Sequence, residues 1–250
     1  MARPGVGFGV IAAALACLLP AAATAAPLIA DLSKHRIGIS TGFTGTDVLL
    51  FGATEGPGDV VVVVRGPNFG AIVRRKTRVA GVWVNGAQLR YPDAPAFYAV
   101  ASSRRIDEVM SERVRAQNQV GTDMIRLSPD RALGDAGEMA EFRAALVRNE
   151  KRQGLFETRV GKVRFLGNKL FRVEIAFPAN VPTGIYTVEV FLVRKGTVVS
   201  AQTTPLVVSR AGFGAEVFRF AHAFSAWYGL IAIAMALAVG WLASVILRRF

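Results

Sequence analysis

Hydrophobic positions recur with the short period of β-strands over residues 26–102. Val60–Val64 is a run of five consecutive valines, and a β-branched run of this kind predicts a strand that is covered on both faces. Ile72–Val79 predicts a strongly basic strand, and Asn85 with Gly86 is the dipeptide of a tight hairpin turn. Short strands between regular turns are typical of a sandwich. We therefore predict that residues 26–102 form a first β-sandwich domain.

The period becomes helical after this domain. Apolar residues at i, i+3, i+4 and i+8 from Ile106 predict a first helix, and Asp135 with Glu138 has the spacing of a capping box at the start of a second one. Strand patterns then return, for example in Tyr186–Phe191, where polar and apolar residues alternate. We therefore predict a helical segment and a second β-sandwich domain over residues 103–208.

Both ends of the chain are apolar. Residues 1–25 combine a basic start at Arg3, a short apolar run and small residues up to Ala25, which predicts a signal peptide. An uncleaved anchor and a lipoprotein lipidated at Cys17 are the alternatives. Residues 227–247 contain no charged residue, and at ~1.5 Å per residue they match the ~30 Å hydrocarbon core of a bilayer. This segment is predicted to be a single transmembrane helix.

The charges that follow this helix predict its orientation. Arg248 and Arg249 come directly after it, and positive flanks stay on the cytoplasmic side. The tail at residues 248–250 is thus predicted to be cytoplasmic. The body, with a stem at residues 209–226, is predicted to be periplasmic. The helix would anchor it in a bacterial inner membrane. The predicted fold class is mainly β, with two immunoglobulin-like β-sandwich units, a helical insertion and a C-terminal transmembrane helix. Whether the two β units form one domain or two stays open.

Small residues recur every four positions along the predicted transmembrane helix. Such a ladder lets a second helix approach closely in a membrane. We predict a helix-packing face for an integral membrane partner or for a second copy of this chain. Chance spacing in an alanine-rich helix is the alternative. The face consists of Ala232, Ala236, Gly240 and Ser244.

The amino-acid composition limits the kinds of ligand and site that this protein can have. The net charge is +12, so the body suits anionic lipids, acidic partners or small anions, or simply has a solvated basic surface; its predicted location excludes nucleic acid. Cys17 is the only cysteine, so the mature body has no disulfide and no thiolate site. His35 and His222 are far apart, and no phosphate- or dinucleotide-binding motif occurs. We predict no catalytic residue, no cofactor and no metal ligand, and therefore not an enzyme.

The most distinctive polar pattern is the basic strand. Arg74, Lys76 and Arg78 alternate along it and therefore share one face, while Arg75 points to the other. This face is a candidate surface for an anion, a lipid or a protein partner. The alternative is that the charges protect an exposed sheet edge from unwanted pairing.

Four segments carry a resemblance to a known family: Arg74–Asn85, Pro95–Ser102, Pro178–Tyr186 and Tyr228–Arg249. In these segments, and over nearly the whole mature chain, the sequence resembles the alphaproteobacterial family named "putative transmembrane protein". The resemblance implies a membrane protein without an assigned activity, cofactor or site. It also implies a sulfite-exporter-like permease as a partner.

Two functions of different classes follow from these observations. The first is a non-enzymatic accessory protein of the inner membrane that acts through a membrane partner. The second is a membrane-tethered periplasmic binding protein for a small anion, such as an oxidised sulfur species, that uses the basic strand. A deep pocket lined by arginines would favour the binding protein. A convex basic sheet with an exposed apolar patch would favour the accessory protein.

Overall fold

The computed structural model describes residues 28–132, 134–212 and 221–247. The predicted signal peptide and cytoplasmic tail, and the middle of the predicted stem, lie outside the described residues and stay predictions. The strands of the described part are β1 Leu28–Leu32, β2 Arg36–Ile39, β3 Gly45–Thr54, β4 Asp59–Arg65, β5 Ala71–Val79, β6 Val82–Tyr91, β7 Tyr98–Ser102, β8 Gly161–Lys162, β9 Arg164–Leu166, β10 Leu170–Pro178, β11 Gly184–Arg194 and β12 Thr197–Arg210. The helices are α1 Ile106–Val109, α2 Glu112–Asn118, α3 Ala136–Arg152 and α4 Ser225–Leu247.

Strands from both β-rich stretches of the sequence pair with each other. One sheet has the order β1-β3-β10-β9, and the other has the order β2-β12-β11-β4-β7-β8. β3 is antiparallel to β10, and β4 is antiparallel to β11. The mainly β fold with one apolar C-terminal helix is thus confirmed, and the strands that precede and follow the helical segment build both sheets jointly.

The core lies between these two sheets. Leu50 of β3 and Val173 of β10 belong to the same buried cluster as Val62 of β4 and Val188 of β11. Burying such branched side chains contributes roughly 1.5–3 kcal/mol each. The chain therefore holds its sheets together by apolar packing.

The valine run of β4 is buried on both faces, as predicted. None of the residues from Val60 to Val64 exposes more than 1% of its surface. Val60, Val62 and Val64 face the core between the sheets. Val61 and Val63 face a second cluster, to which α1 and Phe156 contribute. The helical segment thus covers the outer face of the larger sheet.

The second predicted helix begins where its capping box indicates. The Glu138 backbone N–H donates to Asp135 Oδ1 at 2.7 Å, so the first turn of α3 has its cap. Phe142 and Leu146 of α3 then pack on a third cluster that includes Val73 of β5. This packing ties α3 to the β5–β6 hairpin.

β5 and β6 continue the ladder of β4 and β7 beyond the sheet. Arg65 pairs with Tyr98, an isolated bridge joins Asn68 to Pro95, and Ala71 then pairs with Tyr91. We call residues 71–91 the hairpin arm. It is a two-stranded extension of the two neighbouring strands at the centre of the larger sheet.

The turn of the arm lies at Ala80 and Gly81, and the prediction at Asn85 and Gly86 was wrong. Both turn residues have positive φ, 48° and 86°, as a two-residue hairpin turn requires. Gly86 instead lies at a bulge of β6 opposite Arg75. A turn at the predicted place would set Val73 opposite Tyr98, which already pairs with Arg65. The register at the base of the arm therefore outweighs the local turn preference.

Candidate interaction surfaces

The predicted basic residues share one face of the hairpin arm. Arg74 Nε donates to Gln88 Oε1 at 3.1 Å, and Lys76 Nζ donates to Asn85 Oδ1 at 2.6 Å. Arg78 Nε donates to the Gly81 carbonyl oxygen at 3.2 Å. All three side chains are exposed, and within the described residues they hydrogen-bond to neutral groups of the arm itself. The face therefore presents uncompensated positive charge to its surroundings.

Arg75 lies on the opposite face and fastens the arm to α3. Its guanidinium lies 2.8 Å from Glu138 Oε1 and 2.9 Å from Glu141 Oε2. The same group lies 5.1 Å from the ring centroid of Phe142, within the range of a cation–π contact. The arm is thus braced against α3 through Arg75.

The tip of the arm exposes apolar side chains. Val82 and Trp83 expose 64% and 65% of their surfaces, and Val79 exposes 56%. Trp83 pairs directly with Arg78 across the two strands. The arm therefore combines a basic face with an apolar tip. A cleft of about 410 Å³ also lies where Arg74, Arg75 and Lys76 of β5 meet α3.

Two further arginines at the larger sheet, Arg65 and Arg104, do not join this face. Arg65 is half-buried, forms an ion pair with Glu189 and donates to the Asn118 carbonyl oxygen at 2.6 Å; burial lowers its pKa. Arg104 binds Asp59, and this hydrogen bond is the main cause that lowers the pKa of the Asp59 carboxyl. These residues hold the helical segment against the larger sheet.

A cleft of about 770 Å³ lies at the outer face of β7. Its floor includes Ser102, whose hydroxyl is buried and has no hydrogen-bond partner within the described residues. The rim carries Arg159 and Lys162, and no ion pair is found for either among the residues that the structure describes. An unpaired buried hydroxyl beneath two cations is a candidate binding site for a small ligand.

Two ionisable groups of this cleft are shifted by burial. Burial raises the pKa of the Glu157 carboxyl to about 7, and a hydrogen bond from the Val100 backbone opposes part of the shift. Burial also raises the pKa of Tyr98 to about 12. The Tyr98 hydroxyl donates to the Gln119 carbonyl oxygen at 2.7 Å and accepts from the Gly121 N–H at 2.8 Å. Tyr98 thus organises the loop that forms one wall.

Sequence reasoning missed this cleft. Its floor comes from β7, and its walls come from the loops after α2 and after α3. The local pattern does not indicate burial of Glu157, because it is the first of three polar residues after the apolar pair Leu155 and Phe156. The only local signal is the fully apolar character of Tyr98–Ala101, which requires a cover on its outer face.

His35 is a surface residue. His35 Nε2 lies 2.8 Å from Asp31 Oδ1, and both side chains are more than half exposed. Among residues 28–132, 134–212 and 221–247, no three His, Cys, Asp or Glu side chains are arranged to hold a metal ion.

The helix-packing face that was predicted from the small residues lies on α4. The segment Ser225–Ser244 is long and apolar enough to cross a membrane, and none of it is buried inside the structure. The predicted packing residues follow one side of this helix and are exposed, and a Cβ at Gly240 would meet no atom within 4 Å. The structure therefore brings these residues onto one open helix face: Ala232, Ala236, Gly240 and Ser244.

These features define a mainly β protein with one candidate membrane span at its C-terminal end. The family model described as "Putative transmembrane protein (Alph_Pro_TM)" matches residues 27–249. The chain therefore belongs to this family, as the resemblance of its motifs predicted. Comparison with curated proteins and comparison with solved structures gave no match.

Proposed function

We propose that this protein is a single-pass inner-membrane protein with a periplasmic body and that it acts as a non-enzymatic accessory of a membrane complex. The observation that carries this proposal is α4. It is an apolar helix of 23 residues, and none of its candidate span is covered by the rest of the described chain. A helix of this kind has its natural environment in a bilayer, where other helices can reach it.

The small residues of α4 support a helical partner. In hydrocarbon, helices associate by close packing and not by exclusion of water, so faces of small residues favour association. Gly240 stands at the centre of such a face with open space around it. The proposed partner is an integral membrane protein, first of all a sulfite-exporter-like permease. The alternative is that α4 of a second copy of this chain packs on the same face.

A crosslinking experiment with matched variants tests this proposal. Ala236→Leu and Gly240→Leu add bulk to the small-residue face, whereas Ala238→Leu adds the same bulk about 200° around the helix. We expect the first two to lower the yield of crosslinks to a co-expressed sulfite-exporter-like permease, or to a second copy, by severalfold. All three variants should insert in the membrane, because leucine favours insertion. Equal yields for all three would refute the role of this face.

Binding of a small anion is the second candidate function. The observation that favours this function is the cleft with Ser102, Arg159 and Lys162. Calorimetric titration of the full chain with sulfite, sulfate or phosphate tests it. We expect binding that Lys162→Met weakens and that Arg74→Gln leaves unchanged. Absence of heat for all three anions would exclude this candidate.

A further inference from the structure

The hairpin arm leaves the larger sheet at the end from which the chain runs on to α4. β11 is antiparallel to both β12 and β4, so β12 and β4 run toward the same end. Thr187 of β11 pairs with Arg65 on one side and with Pro205 on the other. β4 then continues into the arm, and β12 ends five residues further on, at Arg210. The arm and the route to α4 thus begin at the same end of the body.

The two segments also have comparable lengths. Fifteen residues separate Arg65 from the turn at Ala80, which is ~50 Å at the rise of a strand. Fifteen residues likewise separate Arg210 from Ser225, where α4 begins, and whatever their conformation they cover at most ~50 Å. Because β12 ends ~17 Å past the level of Arg65, the tip of the arm lies level with the start of α4 when residues 210–225 span ~33 Å.

The composition of the arm matches such a surface. Residues 71–91 contain five Lys or Arg and no Asp or Glu. Arg75 is neutralised by α3, whereas the outward face keeps its charges beside the exposed Trp83. Val79 and Val82 pair on the other face, at the tip. Tryptophan prefers the membrane interface, and lysine and arginine bind anionic headgroups while their stems cover apolar surface.

Protection of a sheet edge explains only part of this arrangement. Basic side chains discourage pairing with another strand, but an edge protected in this way gains nothing from Val79, Val82 and Trp83 at its tip. If these apolar residues faced only water, they would favour aggregation of the protein with other molecules. Their position at the end of a braced arm, rather than along its edge, is what a bilayer surface accommodates.

We propose that the tip of the hairpin arm enters the interface of the bilayer that anchors α4, with Val79, Val82 and Trp83 among the lipids and with Arg74, Lys76 and Arg78 on anionic phospholipid headgroups. This inference rests on the membrane anchoring proposed above and does not require a protein partner. The body then has two attachments to one membrane, the helix and the arm, and is held in a defined orientation.

Tryptophan fluorescence in proteoliposomes tests the proposal. The chain has three tryptophans, so Trp227→Phe and Trp241→Phe leave Trp83 as the single probe. We expect blue-shifted Trp83 emission that brominated phospholipids quench, in vesicles of phosphatidylglycerol and phosphatidylcholine that contain no other protein. Water-like emission without bromolipid quenching, in vesicles that carry the protein on flotation, would overturn the proposal and leave a protein partner as the ligand of the arm. Failure of the protein to float with the vesicles would instead refute the anchoring by α4, and with it this inference.

A matched probe and a charge variant sharpen this test. Ile29 is as exposed as Trp83, at 67%, but β1 places it beside Ala53 at the other end of the body, so Ile29→Trp in a Trp83→Phe background should stay unquenched. Replacing Arg74, Lys76 and Arg78 by glutamine should lower the ratio of inserted to free arm about a hundredfold, at about fivefold for each charge. Arg172→Gln on β10 should leave this ratio unchanged. Equal quenching of Trp83 and of the probe at residue 29, or an unchanged ratio in the glutamine variant, would contradict the proposal.

Discussion

Replacing Glu157 by glutamine should remove a pH dependence from the stability of the body. The Glu157 carboxyl lies in the cleft beside β7, and burial raises its pKa from 4.5 to about 7. Below pH 4.5 the folded and unfolded chains both hold the proton, so the group has no effect. As the pH rises toward 7, the unfolded chain ionises first, so the free energy of unfolding falls. Above about pH 7 both forms are ionised and the loss is complete.

The size of this loss follows from the shift. At about 1.4 kcal/mol for each pKa unit, the difference between 4.5 and 7 corresponds to roughly 3–4 kcal/mol. The carboxyl is only half-buried and faces the water of an open cleft, so we discount this figure to roughly 1–2 kcal/mol. Glutamine keeps the shape of the side chain and cannot ionise. We therefore compare the free energy of unfolding of the Glu157→Gln variant with that of the natural protein at two pH values. We expect the difference to shift in favour of the variant by roughly 1–2 kcal/mol between pH 4.5 and pH 8.

Urea unfolding of the full chain in mild detergent, followed by far-ultraviolet circular dichroism between pH 4.5 and 8, measures this difference. Glu174→Gln is the matched control, since Glu174 is an exposed residue of β10. Parallel stability curves for the natural protein and for Glu157→Gln across this range would refute the reasoning. Disappearance of the loss in both glutamine variants would assign the effect to general surface charge.

Two further predictions concern the body. Cutting the chain before Ser225 should release a soluble, folded body, because none of the span is buried; aggregation of this fragment, judged by gel filtration and circular dichroism, would show that the sandwich depends on the membrane or a partner. Val62→Ala should lower the free energy of unfolding by ~2–3 kcal/mol, since Val62 is only 1% exposed. Val82→Ala at the exposed tip should change it by less than ~0.5 kcal/mol, and equal effects in urea unfolding would contradict the packing described.

Features that local pattern controls were predictable from the sequence. The valine run of β4 required cover on two faces, because five adjacent β-branched side chains leave no polar face for water. The cap at Asp135 and the apolar length of α4 are likewise visible within one segment. Each of these predictions needed no knowledge of what the segment packs against.

Strand partners and the cleft could not be predicted in this way. β3 pairs with β10 across the whole helical segment, with Leu50 opposite Val173, and alternation within one strand does not identify its neighbour. The turn at Ala80 was missed for the same reason, because its place depends on the register at the base of the arm. Ser102 and Glu157 meet only after three loops have assembled on β7, so their environment is a property of the tertiary fold.

The most direct test of the account is the topology of the full chain. Alkaline phosphatase fused after Arg210 should be active, because we propose that the body lies in the periplasm, and green fluorescent protein fused after Phe250 should fluoresce, because the short tail is predicted to be cytoplasmic. The fluorescent fusion carries the complete α4 and should stay with the inner membrane, whereas the phosphatase fusion lacks α4 and should be released into the periplasm. An inactive phosphatase after Arg210, together with a fluorescent reporter at the same point, would place the body in the cytoplasm and contradict the account.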